Sequence, residues 1–104
     1  KGDLDKSEQV LNKLIKLDDQ NIINLFYLSE IKYEQKDYNT ALKICDRMIE
    51  INPDISYNYI NKSIIYNKLG NKEEADKLIE IAKTKNVRWN TEKIKDDLYL
   101  PIGW

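Results

Sequence analysis

Residues 23–54 read INLFYLSEIKYEQKDYNTALKICDRMIEINPD, and this stretch decides the fold. Leu25, Leu28, Ser29 and Ile31 recur at helical spacing, which predicts a helix from Ile22 to about Gln35 with one apolar face. Lys36–Asp37 interrupts the pattern. Asp37 has a short carboxylate that can accept from free first-turn amides, so it caps a second helix running to about Asn52. Pro53 lacks an amide and crowds the turn before it, which ends that helix. The stretch is a pair of helices joined by a tight turn.

Outward from this pair, the chain repeats itself at a spacing of 34 residues. Ser29 coincides with Ser63, and Ala41 with Ala75, while Ser7 lies one further period before Ala41. Gly2 and Gly70 share a column, as do Asp3, Asp37 and Asn71. Leu11, Cys45 and Ile79 form another, and Leu14, Met48 and Ala82 one more. A fixed period of this length is the signature of stacked helix–turn–helix units.

The period divides the chain. Residues 1–21 read as the second half of a repeat, with Gly2–Asp3 as its turn, Asp3 as its cap and an apolar stripe through Leu4, Val10, Leu11, Leu14, Ile15 and Leu17. Residues 22–55 and 56–87 read as two full repeats. In the second, Gly70 takes the left-handed turn and Asn71 caps the next helix, with Glu74 placed for a capping box. Lys36 stands in the glycine column, so it is expected at positive φ. Residues 88–104 break the period and are expected to form a capping helix, with Ile94 and Leu98 on one face, and an apolar tail.

Composition narrows the function. The chain has 104 residues, enough for one domain. Seventeen basic and 18 acidic side chains are interspersed and leave a net charge of −1, which argues against a nucleic-acid or anionic-membrane binder. No histidine is present and there is one cysteine, Cys45, so neither a disulfide, a metal cluster nor a histidine-activated nucleophile can be assembled, and no metal or cofactor is expected. Cys45 falls in an apolar column and reads as an unreactive core thiol. The carboxylate pairs Asp18–Asp19, Glu73–Glu74 and Asp96–Asp97 lie side by side rather than across a cleft, and nothing tunes them for acid–base work. Asp3, Asp5 and Ser7 open like a calcium loop, but Glu8 and Leu14 stand where glycine and glutamate are required. No stretch is long and apolar enough to span a membrane, and no signal peptide is visible. The expectation is a cytoplasmic, non-enzymatic protein.

Ile23–Asp54 resembles a complete tetratricopeptide repeat, through Leu25, Leu28, Ser29, Tyr33, Asp37–Tyr38, Ala41 and the closing Asn52–Pro53–Asp54. The segment from Tyr59, with Ser63, Tyr66, Gly70, Ala75 and Ala82, resembles a second. Lys62 departs from the pattern where Leu28 stands one repeat earlier, and Cys45 and Met48 replace the usual aromatic and alanine. The resemblance implies an all-α helical-repeat solenoid, a right-handed superhelix, whose first helices line a concave groove for a peptide or partner helix. By that resemblance the groove side chains are Ile23, Phe26, Tyr27, Glu30 and Tyr33, then Tyr57, Ile60, Asn61, Ile64 and Asn67. The set is mostly apolar and aromatic. Chaperone-tail binders of the family use lysine, arginine and asparagine to clamp carboxylates, and only Asn61 matches, so an acidic heat-shock chaperone tail is not the expected ligand.

The expected function is non-catalytic protein–protein interaction through that groove. Two rivals stand beside it. In the first, the apolar tail with Leu98, Ile102 and Trp104 docks in a groove and makes a homodimer with Trp104 as its anchor, whereas Trp89 reads as a clasp between the last repeat and the capping helix. In the second, the chain is a regulatory repeat segment of a larger enzyme or transcriptional regulator. Two full repeats bury little core, so the chain is expected to belong to a longer array or to lean on a partner.

Overall fold

A computed structural model of the chain describes residues 2–85. The segment expected as a capping helix and tail, with Trp89, Leu98, Ile102 and Trp104, lies outside the described residues. Five helices follow one another: α1 (Gly2–Leu17), α2 (Ile22–Glu34), α3 (Tyr38–Ile51), α4 (Ser56–Lys68) and α5 (Lys72–Lys83). Each packs on the next in chain order, α1 on α2, α2 on α3, α3 on α4 and α4 on α5. The described residues form an all-α helical repeat.

The helix ends are set by short polar side chains. Asn21, Asp37 and Asn71 each accept a hydrogen bond from the amide three residues on, at 3.2, 3.3 and 3.3 Å. Glu74 donates its amide to Asn71, while its carboxylate accepts from Lys77 at 3.3 Å. α1 differs from expectation. It runs from Gly2, so Asp3 lies with Asp5 inside the first turn, where carboxylates complement the positive end of the helix, instead of capping it.

The α2–α3 and α4–α5 turns are one motif, 34 residues apart. After α2, the Lys36 amide donates to the Tyr33 carbonyl at 3.0 Å and the Asp37 amide to Lys32 at 2.8 Å. After α4, Gly70 donates to Asn67 at 3.0 Å and Asn71 to Tyr66 at 2.9 Å. Both are Schellman closures, which need a left-handed residue after the helix. Gly70 supplies it at φ 81°, and Lys36 does so at φ 63°.

Small residues let the paired helices approach. Ala41 and Ala75 are fully buried, and Ser29 and Ser63 nearly so. A buried hydroxyl must find a partner. Ser29 donates to the Phe26 carbonyl at 2.7 Å, and Ser63 reaches across the pair to the Ala75 carbonyl at 3.0 Å. The main core joins Leu25, Phe26, Ala41, Ile44, Cys45, Met48, Ile55, Tyr57 and Ile65. A second cluster of Tyr59, Leu78 and Ala82 closes the last pair.

Candidate functional site

Helices α2 and α4 occupy equivalent places in the two repeats. Positions 23, 26, 27, 30 and 33 of α2, and 57, 60, 61, 64 and 67 of α4, recur at three- and four-residue steps and so share one face of each helix. The two faces meet through an aromatic pair: the rings of Phe26 and Tyr57 lie 5.4 Å apart at 60°, with Tyr27 5.9 Å from Phe26. Tyr33 packs edge-on against Tyr38 at 5.5 Å, pinning the start of α3.

The structure divides the ten side chains. Phe26, Tyr57 and Asn61 are buried, so they form the floor between the helices and not an open groove wall. Ile23 is 41 % exposed and Asn67 is exposed, while Tyr27, Glu30, Tyr33, Ile60 and Ile64 are half-buried. The Asn61 amide donates to the Ser29 hydroxyl at 3.4 Å and to the Cys45 sulfur at 3.5 Å. It ties α4 to α2 and α3, and that internal use takes it away from any carboxylate outside.

Electrostatics single out Glu30. Burial, with the Glu34 carboxylate nearby, pushes its carboxyl from 4.5 up to about 7. Burial likewise raises the Tyr33 hydroxyl, with Tyr38, Glu30 and Glu34 adding to it. Cys45 is fully buried and its thiol is pushed up to about 12, chiefly by burial, which leaves it protonated and inert. Among the described residues no group of side chains could hold a metal ion, and no helix is long and apolar enough to cross a membrane.

Cross-helix ion pairs fix the spacing of the site. Lys32 of α2 meets Glu8 of α1 at 2.8 Å, and Gln35 donates to the same carboxylate at 2.9 Å. Those two hydrogen bonds, Lys32 first, hold Glu8 below the usual carboxylate range. Lys62 of α4 meets Asp46 of α3 at 2.6 Å, its ammonium 5.9 Å from the Tyr66 ring. Burial is the largest single influence and opposes the charge on Lys62, but the hydrogen bond to Asp46, added to the attraction of Asp46, Tyr66 and Cys45, outweighs it and the net shift is upward. In the sequence Lys62 stands out only as a departure from a leucine column; in the structure its side chain lies half-buried along the helix while its ammonium reaches Asp46 of α3.

Tetratricopeptide repeat profiles match two tandem segments, residues 24–54 and 56–82. They coincide with the helix pairs α2–α3 and α4–α5. The chain belongs to the tetratricopeptide repeat family. Repeats of this family are generally protein–protein interaction modules and are typically non-catalytic. Comparison with curated proteins finds no match.

Proposed function

We propose that this protein is a non-catalytic interaction module that seats an apolar peptide or helix of a partner protein on the paired faces of α2 and α4. The observation that carries the reading is the accessible row above the Phe26–Tyr57 floor: Ile23, Tyr27 and Glu30 on α2, with Ile60, Ile64 and Asn67 on α4. Partly exposed apolar side chains on two adjoining helices form the kind of surface that receives an amphipathic segment. Glu30 when protonated, its carboxyl being raised to about 7, and Asn67 can each donate a hydrogen bond that fixes register. The internal bonding of Asn61 supports the expectation that an acidic chaperone tail is not the ligand.

The test is retention of partners from the native lysate by the full chain. Phe26 is unsuited to disruption because it is a core residue. The informative variant is Ile23→Glu with Ile64→Glu, beside Ile23→Glu alone and an Asn39→Glu, Lys43→Glu control on the exposed side of α3. A specific partner should be lost by about tenfold or more with the first variant while helicity by circular dichroism is kept, and retained by the control. Equal retention by all three overturns the reading. Capture of the chain itself alone supports self-association instead.

A further inference from the structure

The last described residue, Lys85, is pinned in place. Its amide donates to the Ala82 carbonyl at 3.1 Å, and its ammonium lies 5.3 Å from the centre of the Tyr59 ring. Tyr59 is itself held, its hydroxyl donating to the Pro53 carbonyl at 2.7 Å. Residues 86–104 therefore continue from a point beside the first turn of α4. The same turn carries Tyr57, whose ring pairs with Phe26 of α2, and Ile60 follows on the face of Tyr57. Both walls of that α2–α4 seam are described helices.

The chemistry of the segment matches the face. Leu98–Trp104 reads LYLPIGW and has no charged side chain, whereas Arg88, Glu92, Lys93, Lys95, Asp96 and Asp97 all lie before it. Pro101 disfavours helix at Leu100, which suits an extended segment laid along a seam. On the receiving side, Ile23, Ile60 and Ile64 stand around the Phe26–Tyr57 pair. The mid-helix lysines, Lys32 and Lys62, are turned to Glu8 and Asp46, so neither offers the face a cation. The reach is sufficient. Asn86–Asp97 spans up to ~40 Å when extended, against 35 Å for the longest dimension of the structure. A tether of that length holds its end at an effective concentration in the millimolar range, well above that of a second copy in micromolar protein.

We infer that Leu98–Trp104 turns back in cis onto the α2–α4 seam, its apolar side chains over the Phe26–Tyr57 pair and beside Ile23, Ile60 and Ile64, as an internal competitor that a partner must displace. The inference rests on the proposed reading of that face as the partner's site. It also narrows the partner's chemistry to an uncharged, apolar segment of the same kind. The partner's apparent affinity is then lowered by the fraction of time the seam is free.

The experiment places Ile64→Cys in the full chain and follows its reaction with a soluble thiol reagent. Cys45 is buried and reacts only if the fold is lost, so it reports integrity. Leu98→Asp, Ile102→Asp and Trp104→Asp together should speed the Ile64→Cys reaction about tenfold at any protein concentration. The same three changes should leave Lys43→Cys, exposed on α3, unaltered. An excess of acetylated LYLPIGW peptide should restore the slow rate. Should Cys45 react in the triple variant, a second measurement decides. With a mild oxidant, Ile64→Cys and Ile102→Cys in one chain should join in an intrachain disulfide, and Lys43→Cys with Ile102→Cys should not. Equal rates with either tail in the folded protein, or bridging at Lys43 equal to that at Ile64, overturns the inference. A disulfide between two chains assigns the tail to a second copy and overturns it too. Partner capture answers separately: protection with no partner at the face removes the proposed partner site alone, and a partner without protection removes the tail alone.

Discussion

Glu30 is a half-buried carboxylate on α2 with its affinity for a proton raised, and the sign of its effect on stability follows. Its folded value, about 7, lies above its ordinary 4.5, so the folded chain binds the proton more tightly than the unfolded one. The stability this contributes is complete below 4.5 and is lost as pH rises through about 7. The chain has no histidine, and the lowered Glu8 and Asp37 act below their ordinary 4.5 and 3.8, outside that window. The melting temperature should therefore fall from about pH 5 to about pH 8, and Glu30→Gln should flatten the fall and be the more stable protein at the upper end. Thermal melts at several pH values check both. Lys36 and Gly70 make a second pair at this scale, since both hold the left-handed turn. Lys36→Gly should stabilise by up to about 1 kcal/mol, and Gly70→Ala should destabilise by about 1 kcal/mol. An added Cβ at Gly70 meets nothing within 4 Å, so that cost would be backbone conformation alone. Denaturant titration of the two variants measures it. Lys36 at positive φ was legible in the sequence because the period put it in a glycine column. The burial of Phe26, Tyr57 and Asn61 was not, because a period assigns a residue to a face without saying which rings meet across it.

At the scale of elements, the column Ser7, Ala41, Ala75 is an internal experiment. One sequence position occurs three times, twice beneath a covering helix and once in the open. Ala75→Leu forces a larger side chain into the crossing with Ser63 and should cost about 2 kcal/mol. Ser7→Leu should change stability by less than about 0.5 kcal/mol, because nothing covers that position among the described residues. Urea midpoints of the two variants give the comparison; equal losses would mean that α1 is covered. Caps follow the same logic. Asp37→Ala removes the acceptor for the Thr40 amide at the head of α3 and should cost about 1 kcal/mol. The helices themselves were legible to within a residue or two, since caps, breakers and a 3.6-residue pattern agree along the sequence. At α1 the structure differs from the expected cap: Gly2 and Asp3 lie inside that helix, where an acidic first turn suits the helix end equally well. The Glu8–Lys32–Gln35 clasp and the Lys62–Asp46 pair join different helices, and no periodicity foretells such meetings.

Across the described residues each helix packs on the next, so their stability is approximately a sum of neighbour terms. That architecture explains how much of the function a sequence can carry. Repeat spacing specifies the stack and the helices that share a face, while on the proposed reading the identity of a partner depends on how the exposed Ile23 and the half-buried Ile60 and Ile64 are presented once the stack has formed. The central claim is that the paired face of α2 and α4 receives the partner. Its most direct test is a photo-crosslinking residue placed in the full chain at Ile23, at Asn67 or, as the reference, at Lys43 on α3, each exposed and irradiated in the native lysate. The account predicts the same partner joined at Ile23 and Asn67 and absent at Lys43. A partner joined at Lys43 and missing from both α2 and α4 would contradict it.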